Sequence, residues 1–144
     1  MKTLLFAVMA FLITASVVNA DQFMGETFSI EKKNPQNIRN LILNINVPKE
    51  FKLLQKADPF VSIYTNDDGV INRFSITHGT NILPINQKVY STLLFVDMTL
   101  YYCTEKQSQN SVCLTKKILF EIPLDPKLKG GNVELSYSIP EAKN

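Results

Sequence analysis

Two cysteines are the residues of this chain best suited to covalent chemistry. Cys103 and Cys113 are its only cysteines, and nine residues separate them in the segment LYYCTEKQSQNSVCLTKKILF. Paired cysteines either hold two segments of a protein together or exchange with the thiolate of another protein. The segment therefore indicates either a structural crosslink or a redox site.

Other kinds of catalytic site have few candidate residues. His78 is the only histidine, and one imidazole without clustered cysteines or histidines cannot build a zinc site. Asp67 and Asp68 stand in the sequence NDDG, which is typical of a turn. The chain contains none of the common hydrolase, zinc-protease or nucleotide-loop patterns. We therefore expect no metal and no cofactor, and we interpret His78 as a loop residue.

The amino terminus has the pattern of a secretory signal peptide. Residues 1–20 read MKTLLFAVMAFLITASVVNA, with one lysine, a long apolar run, and small residues at Val18 and Ala20. An uncleaved membrane anchor is the alternative, but the apolar run is shorter than the roughly 20 residues of a bilayer span. We predict a secreted or periplasmic protein, in which the two cysteines are oxidised to each other.

The remaining residues, 21–144, have the length of one domain. The net charge of the whole chain is +2, and loss of Lys2 with the signal peptide lowers it to about +1. Basic residues cluster only in pairs such as Lys32-Lys33, whereas nucleic-acid binding needs a basic stripe. No second apolar span follows, so we expect no nucleic-acid partner and no integral membrane segment in the mature chain.

Alternation of apolar and polar residues predicts an all-β fold. In NLILNINVP the apolar residues Leu41, Leu43 and Ile45 share one face, and asparagines occupy much of the other. No helical period competes with this pattern. We predict an immunoglobulin-like antiparallel β-sandwich of seven or eight strands, with a closed barrel as its main rival. The predicted strands are FSIEK, NLILNINVP, PFVSIYT, VINRFSIT, a weaker INQKVY, and the segments 93–103, 112–124 and 133–139.

The same alternation places both cysteines on the polar faces of neighbouring strands. Cys103 shares its face with Asp97, and Cys113 shares its face with Lys117, whereas Tyr102 belongs to the core face. The bridge would then cross one hairpin and face outward. A β-bulge would change this, because one extra residue shifts the alternation and turns the sulfurs into the core. Lys116 and Lys117 would favour a thiolate there, and Glu105 would oppose it.

Two stretches of the chain resemble a known family. LILNINVPKEFKLLQKADPF is similar to part of the amino-terminal β-sandwich domain of the bacterial thiol-disulfide interchange reductase. LYYC, the second cysteine, KKILFEIPL and VELSY resemble more closely the carboxyl-terminal domain of NHL-repeat proteins that carry a thioredoxin-like domain. The resemblance covers residues 38–139. It implies an immunoglobulin-like sandwich in which Cys103 and Cys113 form the site and react with thioredoxin-like partners.

Two features of this chain depart from that family. The interval between its cysteines is longer, and it carries neither a membrane reductase nor a thioredoxin domain of its own. We therefore predict a single-domain protein whose Cys103–Cys113 disulfide exchanges with a thioredoxin-like or other redox partner. Such a protein would be a thiol-disulfide oxidoreductase or electron relay. The alternative is a non-catalytic binding or scaffold module with a structural disulfide, and which cysteine is attacked stays open.

Overall fold

The computed structural model describes residues 25–104 and 112–141, and the predicted signal peptide lies outside these ranges. The described residues form an all-β fold with one short 3-10 helix, Gln55–Ala57. Its ten strands are β1 (Glu26–Ser29), β2 (Asn34–Pro35), β3 (Asn37–Asn46), β4 (Phe51–Leu53), β5 (Phe60–Thr65), β6 (Gly69–Ser75), β7 (Gly79–Lys88), β8 (Leu93–Thr104), β9 (Cys113–Asp125) and β10 (Gly131–Ser138). No helix within these ranges has both the length and the apolar character needed to cross a membrane.

The strands form two facing sheets. The larger sheet has the order β1-β9-β8-β5-β6, with β2 also paired to β9 and β4 also paired to β8. The smaller sheet has the order β10-β3-β7. The predicted all-β sandwich is confirmed, but its sheets are mixed. Strand β10 runs parallel to β3, and both β1 and β2 run parallel to β9, whereas the other pairs are antiparallel.

One hydrophobic core lies between the two sheets. Every second residue of the long strands points into it, as the alternation in the sequence predicts. Each fully buried aliphatic side chain contributes about 1.5 to 3 kcal/mol to folding. The core residues of the three longest inner strands include Leu41, Leu43 and Ile45 of β3, Leu94, Val96, Met98, Leu100 and Tyr102 of β8, and Ile118, Phe120, Ile122 and Leu124 of β9.

Strand β7 begins earlier than the sequence indicates. The predicted segment INQKVY starts after Pro84, whereas the observed strand runs from Gly79 and places Pro84 opposite Asn40. Proline has no N–H to donate, but β7 lies at the edge of the smaller sheet, where a missing donor is tolerated. Asn86 adopts a positive φ of 47°, where the pairing of β7 with β3 shifts register between Ile38 and Asn40.

Strand β9 extends past the core at the end of the hairpin that carries the cysteines. Leu114 has the parity of the core residues, yet 46% of its surface is exposed. Strand β1 first pairs with β9 at Ile118, so it does not flank this end of the hairpin. The two cysteines are therefore presented at one end of the molecule.

Candidate functional site

Cys103 and Cys113 form a disulfide between directly opposite residues of β8 and β9. Their Cα atoms are 4.0 Å apart. The neighbouring pair, Thr104 and Val112, is joined by a bond from the Thr104 N–H to the Val112 carbonyl at 2.9 Å. The cysteines thus occupy the non-hydrogen-bonded position of the ladder, where opposing Cα atoms lie closest. The predicted bridge across one hairpin is confirmed.

The bridge faces away from the core. Cys103 is half-buried and Cys113 is exposed, while the adjacent Tyr102 is buried and packs edge-on against Phe51 with ring centroids 5.1 Å apart. The pairing of β8 with β9 continues from Leu93 to Cys103 without a shift of register. No β-bulge in this pairing therefore turns the cysteines toward the core. The outward orientation predicted from alternation is therefore present.

The two cysteines have different neighbours. Strand β4 pairs with β8 and places Lys52 directly opposite Cys103. On the other side of the hairpin, β1 reaches β9 only at Ile118, so none of the described strands flanks Cys113 there. Cys113 is consequently the more accessible half of the bridge.

The cation next to the bridge is not one that the sequence pattern indicated. Lys116 lies on the opposite face of β9, where its ammonium pairs with the carboxylate of Glu26. Lys117 shares the face of Cys113 but interacts with Asp97, farther along the sheet. Lys52 takes the position beside Cys103 because β4 pairs with β8, a contact between residues far apart in the sequence. The basic side chain best placed to favour a thiolate is therefore Lys52.

Two clefts are lined in part by residues of β4. The first has a volume of about 340 Å³ and is lined by Cys103, Lys52, Leu53, Leu54, Gln55 and Lys56. The second has a volume of about 460 Å³ and is lined by Val47, Pro48, Lys49, Phe51, Lys52, Leu53, Gln55 and His78. Three residues belong to both clefts, so the two are adjacent. The disulfide therefore lies at one end of a larger concave surface.

His78 lies in the loop between β6 and β7, as expected for a loop residue, and forms part of the wall of the larger cleft. The buried amide of Asn81 holds this loop in place. Its oxygen accepts a bond from the Thr77 N–H at 2.9 Å, and its nitrogen donates to the Thr77 carbonyl at 2.8 Å. The sequence pattern does not indicate Asn81, because its bonds run back to Thr77, four residues earlier, and match no common turn motif.

A second polar group, Asp97, lies on the outer face of the larger sheet. Burial raises the pKa of the Asp97 carboxyl group, although the nearby Lys117 ammonium lowers it. Burial also raises the pKa of Tyr64, and the charges of Asp97 and Glu121 add to this effect. The Tyr64 ring stacks on Phe95 with centroids 5.1 Å apart. Asp97 lies roughly 20 Å along β8 from Cys103, so it does not belong to the disulfide site.

Asp67 and Asp68 form a turn and not a carboxylate pair for catalysis. The Asp68 N–H donates to the Thr65 hydroxyl oxygen at 3.0 Å, and that hydroxyl donates to an Asp68 carboxylate oxygen at 3.2 Å. Gly69 completes the turn with a φ of 69°, which glycine adopts without strain. Across residues 25–104 and 112–141, no three His, Cys, Asp or Glu side chains are grouped to hold a metal ion.

No protein-family model matches this chain, and a comparison with curated proteins found no significant match. The choice between functions therefore rests on the geometry of the disulfide and its surroundings.

Proposed function

We propose that this protein is an exported domain whose Cys103–Cys113 disulfide exchanges with a thiol of a thioredoxin-like partner. The observation that carries the proposal is the position of the bridge, outward-facing at the end of a hairpin, with Cys113 exposed. Thiol-disulfide exchange requires that a partner sulfur reach the bridge. The oxidised pair and the sequence of residues 1–20 support the extracytoplasmic location.

Exchange begins with attack of a partner thiolate on the Sγ atom of Cys113. A sulfur–sulfur bond forms between the partner and Cys113, and the Cys103–Cys113 bond breaks. Its electron pair goes to Cys103, whose thiolate leaves beside Lys52. A second partner thiolate then attacks the partner sulfur of the mixed disulfide and releases Cys113 as a thiolate. The domain gains two electrons, the partner becomes a disulfide, and the reverse sequence oxidises the domain.

The reduction potential tests this proposal directly. We expect the exported protein to equilibrate with glutathione or dithiothreitol buffers at a potential between about −270 and −120 mV, the range of exchange proteins. A structural bridge would lie below about −300 mV. Free thiols are counted by mass spectrometry after alkylation at each buffer potential.

The predicted export is tested separately on the same sample. Amino-terminal sequencing should give Asp21 as the first residue if the signal peptide is cleaved after Ala20.

A trapping experiment tests the assignment of the two cysteines. The oxidised protein is mixed with a thioredoxin in which the second active-site cysteine is replaced by serine, so that a mixed disulfide cannot resolve. We expect the trapped adduct to be joined through Cys113, because strand β4 flanks Cys103. Peptide mapping identifies the cysteine. An adduct through Cys103 alone would refute the assignment but not the exchange reaction.

The clefts beside β4 favour a second function, a non-catalytic binding or scaffold module. Apolar clefts of several hundred Å³ are common in binding sites. In that function the bridge only pins the hairpin. A deeply negative potential together with failure to trap any thioredoxin would reject exchange and leave the binding module as the better description.

A further inference from the structure

The two clefts lined by residues of β4 adjoin each other, and we call them together the β4 cleft. They share Lys52, Leu53 and Gln55, and Cys103 lines the smaller of the two. A segment bound along this surface would lie beside the disulfide. The surface is therefore a candidate for contact with whatever protein brings a thiol to the bridge.

The floor of the β4 cleft is apolar. Phe51 packs against Tyr102, and Leu53 is 93% buried. Leu54 is exposed, and Val47 and Pro48 line the larger of the two clefts. Apolar side chains of a bound segment would remove this surface from water, which is the main source of affinity in such grooves.

The rim of the β4 cleft is basic. Lys49, Lys52 and Lys56 line it, and none of the described lining residues is an aspartate or glutamate. The nearby Glu50 and Asp58 are acidic but line neither cleft, and the Asp58 carboxylate accepts a bond from the Ser75 hydroxyl at 2.7 Å. Charge of one sign around a concave surface attracts a partner of the opposite sign and speeds its association.

We propose that the β4 cleft docks an acidic segment of the partner protein, with apolar side chains between its carboxylates. This inference rests on the proposed exchange function, for which it names the recognition surface. Carboxylates of the segment would face Lys49, Lys52 and Lys56, and its apolar side chains would contact Phe51 and Leu54. Docking holds the partner thiol near the bridge and so raises its effective concentration there.

Binding of cysteine-free peptides tests the docking surface without any redox step. The probe is a fluorescein-labelled peptide in which glutamates alternate with valine and serine, and its counterpart carries lysine at every glutamate position. Fluorescence anisotropy is measured with the oxidised protein. We expect the glutamate peptide to bind and the lysine peptide not to bind, and we expect the affinity to fall as salt is added.

Reversing the charge of selected lysines tests whether the glutamate peptide binds at the β4 cleft. Lys52→Glu combined with Lys56→Glu should weaken binding of the glutamate peptide about tenfold or more. The matched control is Lys127→Glu with Lys129→Glu, in the turn after β9, roughly 40 Å along that strand from Cys113. The control should change the affinity less than about twofold, because it alters the net charge equally but lies far from the β4 cleft.

Three results would overturn the docking proposal: no binding of the glutamate peptide, equal binding of both peptides, or equal effects of the two pairs of reversals. Binding of laurate in place of the peptide, lost in the Lys52/Lys56 variant, would make the cleft a site for an anionic lipid instead. Because the peptides contain no cysteine, their binding does not depend on exchange at the disulfide. Failure of exchange and failure of docking are thereby measured separately.

Discussion

At the scale of single residues, the two halves of the disulfide differ although they face each other in one ladder. Cys103 has a strand on its other side and Lys52 opposite it, whereas Cys113 is exposed. An exchange reaction needs one sulfur that a partner can reach and another that leaves as a stabilised thiolate. Under the proposed exchange reaction, Cys113 would be the attacked sulfur and Cys103 the leaving group.

Asp97 provides a prediction about pH at the same scale. Burial raises the pKa of its carboxyl group in the folded protein, so the fold favours the protonated form. This contribution to stability is present below the unfolded pKa of about 3.9 and is lost as the pH rises through the folded pKa. At neutral pH the charged Asp97 therefore destabilises the fold.

We expect Asp97→Asn to raise the free energy of unfolding at pH 7, because it removes a partly buried charge. The gain should be at most about 1 kcal/mol, since the group is partly exposed and Lys117 offsets part of the cost. Near pH 3 the difference from the wild type should vanish. Urea denaturation at the two pH values measures this, with Asp67→Asn in the exposed turn as the control. An equal gain at both pH values would contradict the explanation.

At the scale of elements, the short strand β1 connects the two sheets. Phe28 stacks on Phe120 with ring centroids 5.6 Å apart and meets the Tyr137 ring edge-on at 6.1 Å. The Tyr137 hydroxyl of β10 donates to a Glu26 carboxylate oxygen at 3.2 Å, and Lys116 of β9 pairs with the same carboxylate. These contacts join strands from both sheets at one edge of the sandwich.

We expect Tyr137→Phe to lower the free energy of unfolding by about 0.5 to 1.5 kcal/mol, because it removes the hydrogen bond to Glu26 and keeps the ring. Burial raises the pKa of Tyr137, and the charge of Glu26 and its hydrogen bond raise it further. Stability that depends on the neutral phenol is present below about pH 10 and is lost at higher pH.

The Phe variant should therefore lose less stability between pH 8 and pH 10.5 than the wild type does. Urea denaturation at both pH values measures the difference. Tyr90→Phe is the matched control, because Tyr90 is largely exposed. The same alkaline loss in all three proteins would show that Tyr137 is not the group responsible.

At the scale of the whole molecule, the core and the disulfide are separate sources of stability. The core includes residues from both sheets, whereas the bridge joins neighbouring strands at one end and closes a loop with a sequence separation of 10. Loops of this size contribute about 2 to 3 kcal/mol through chain entropy. Opening the bridge should therefore weaken the fold without abolishing it, as a reversible exchange site requires.

We expect the double variant Cys103→Ala with Cys113→Ala to keep the circular dichroism of a β protein and to lose about 2 to 3 kcal/mol of unfolding free energy. The loss is measured by urea denaturation, with the reduced wild-type protein as a comparison. A variant that no longer folds would show that the bridge is indispensable, which would favour the structural alternative over exchange.

Much of the fold could be predicted from the sequence, because alternation of side chains is a property of each strand by itself. The faces of β3, β8 and β9 follow from it, and so does the outward orientation of Cys103 and Cys113. The turn at Asp67 and Asp68 is also local, since Thr65 and Gly69 complete it within a few residues.

The choice of neighbouring strands is decided only by the tertiary structure. Alternation is the same for parallel and antiparallel strands, so it does not reveal that β10 lies parallel to β3, or that β4 pairs with β8. That second pairing places Lys52 beside Cys103 and forms the β4 cleft. The sequence alone determines which residues can react and which way they face. The surroundings of these residues depend on which strands pair and how the two sheets pack. Those contacts join residues far apart in the chain, so no local sequence pattern predicts them.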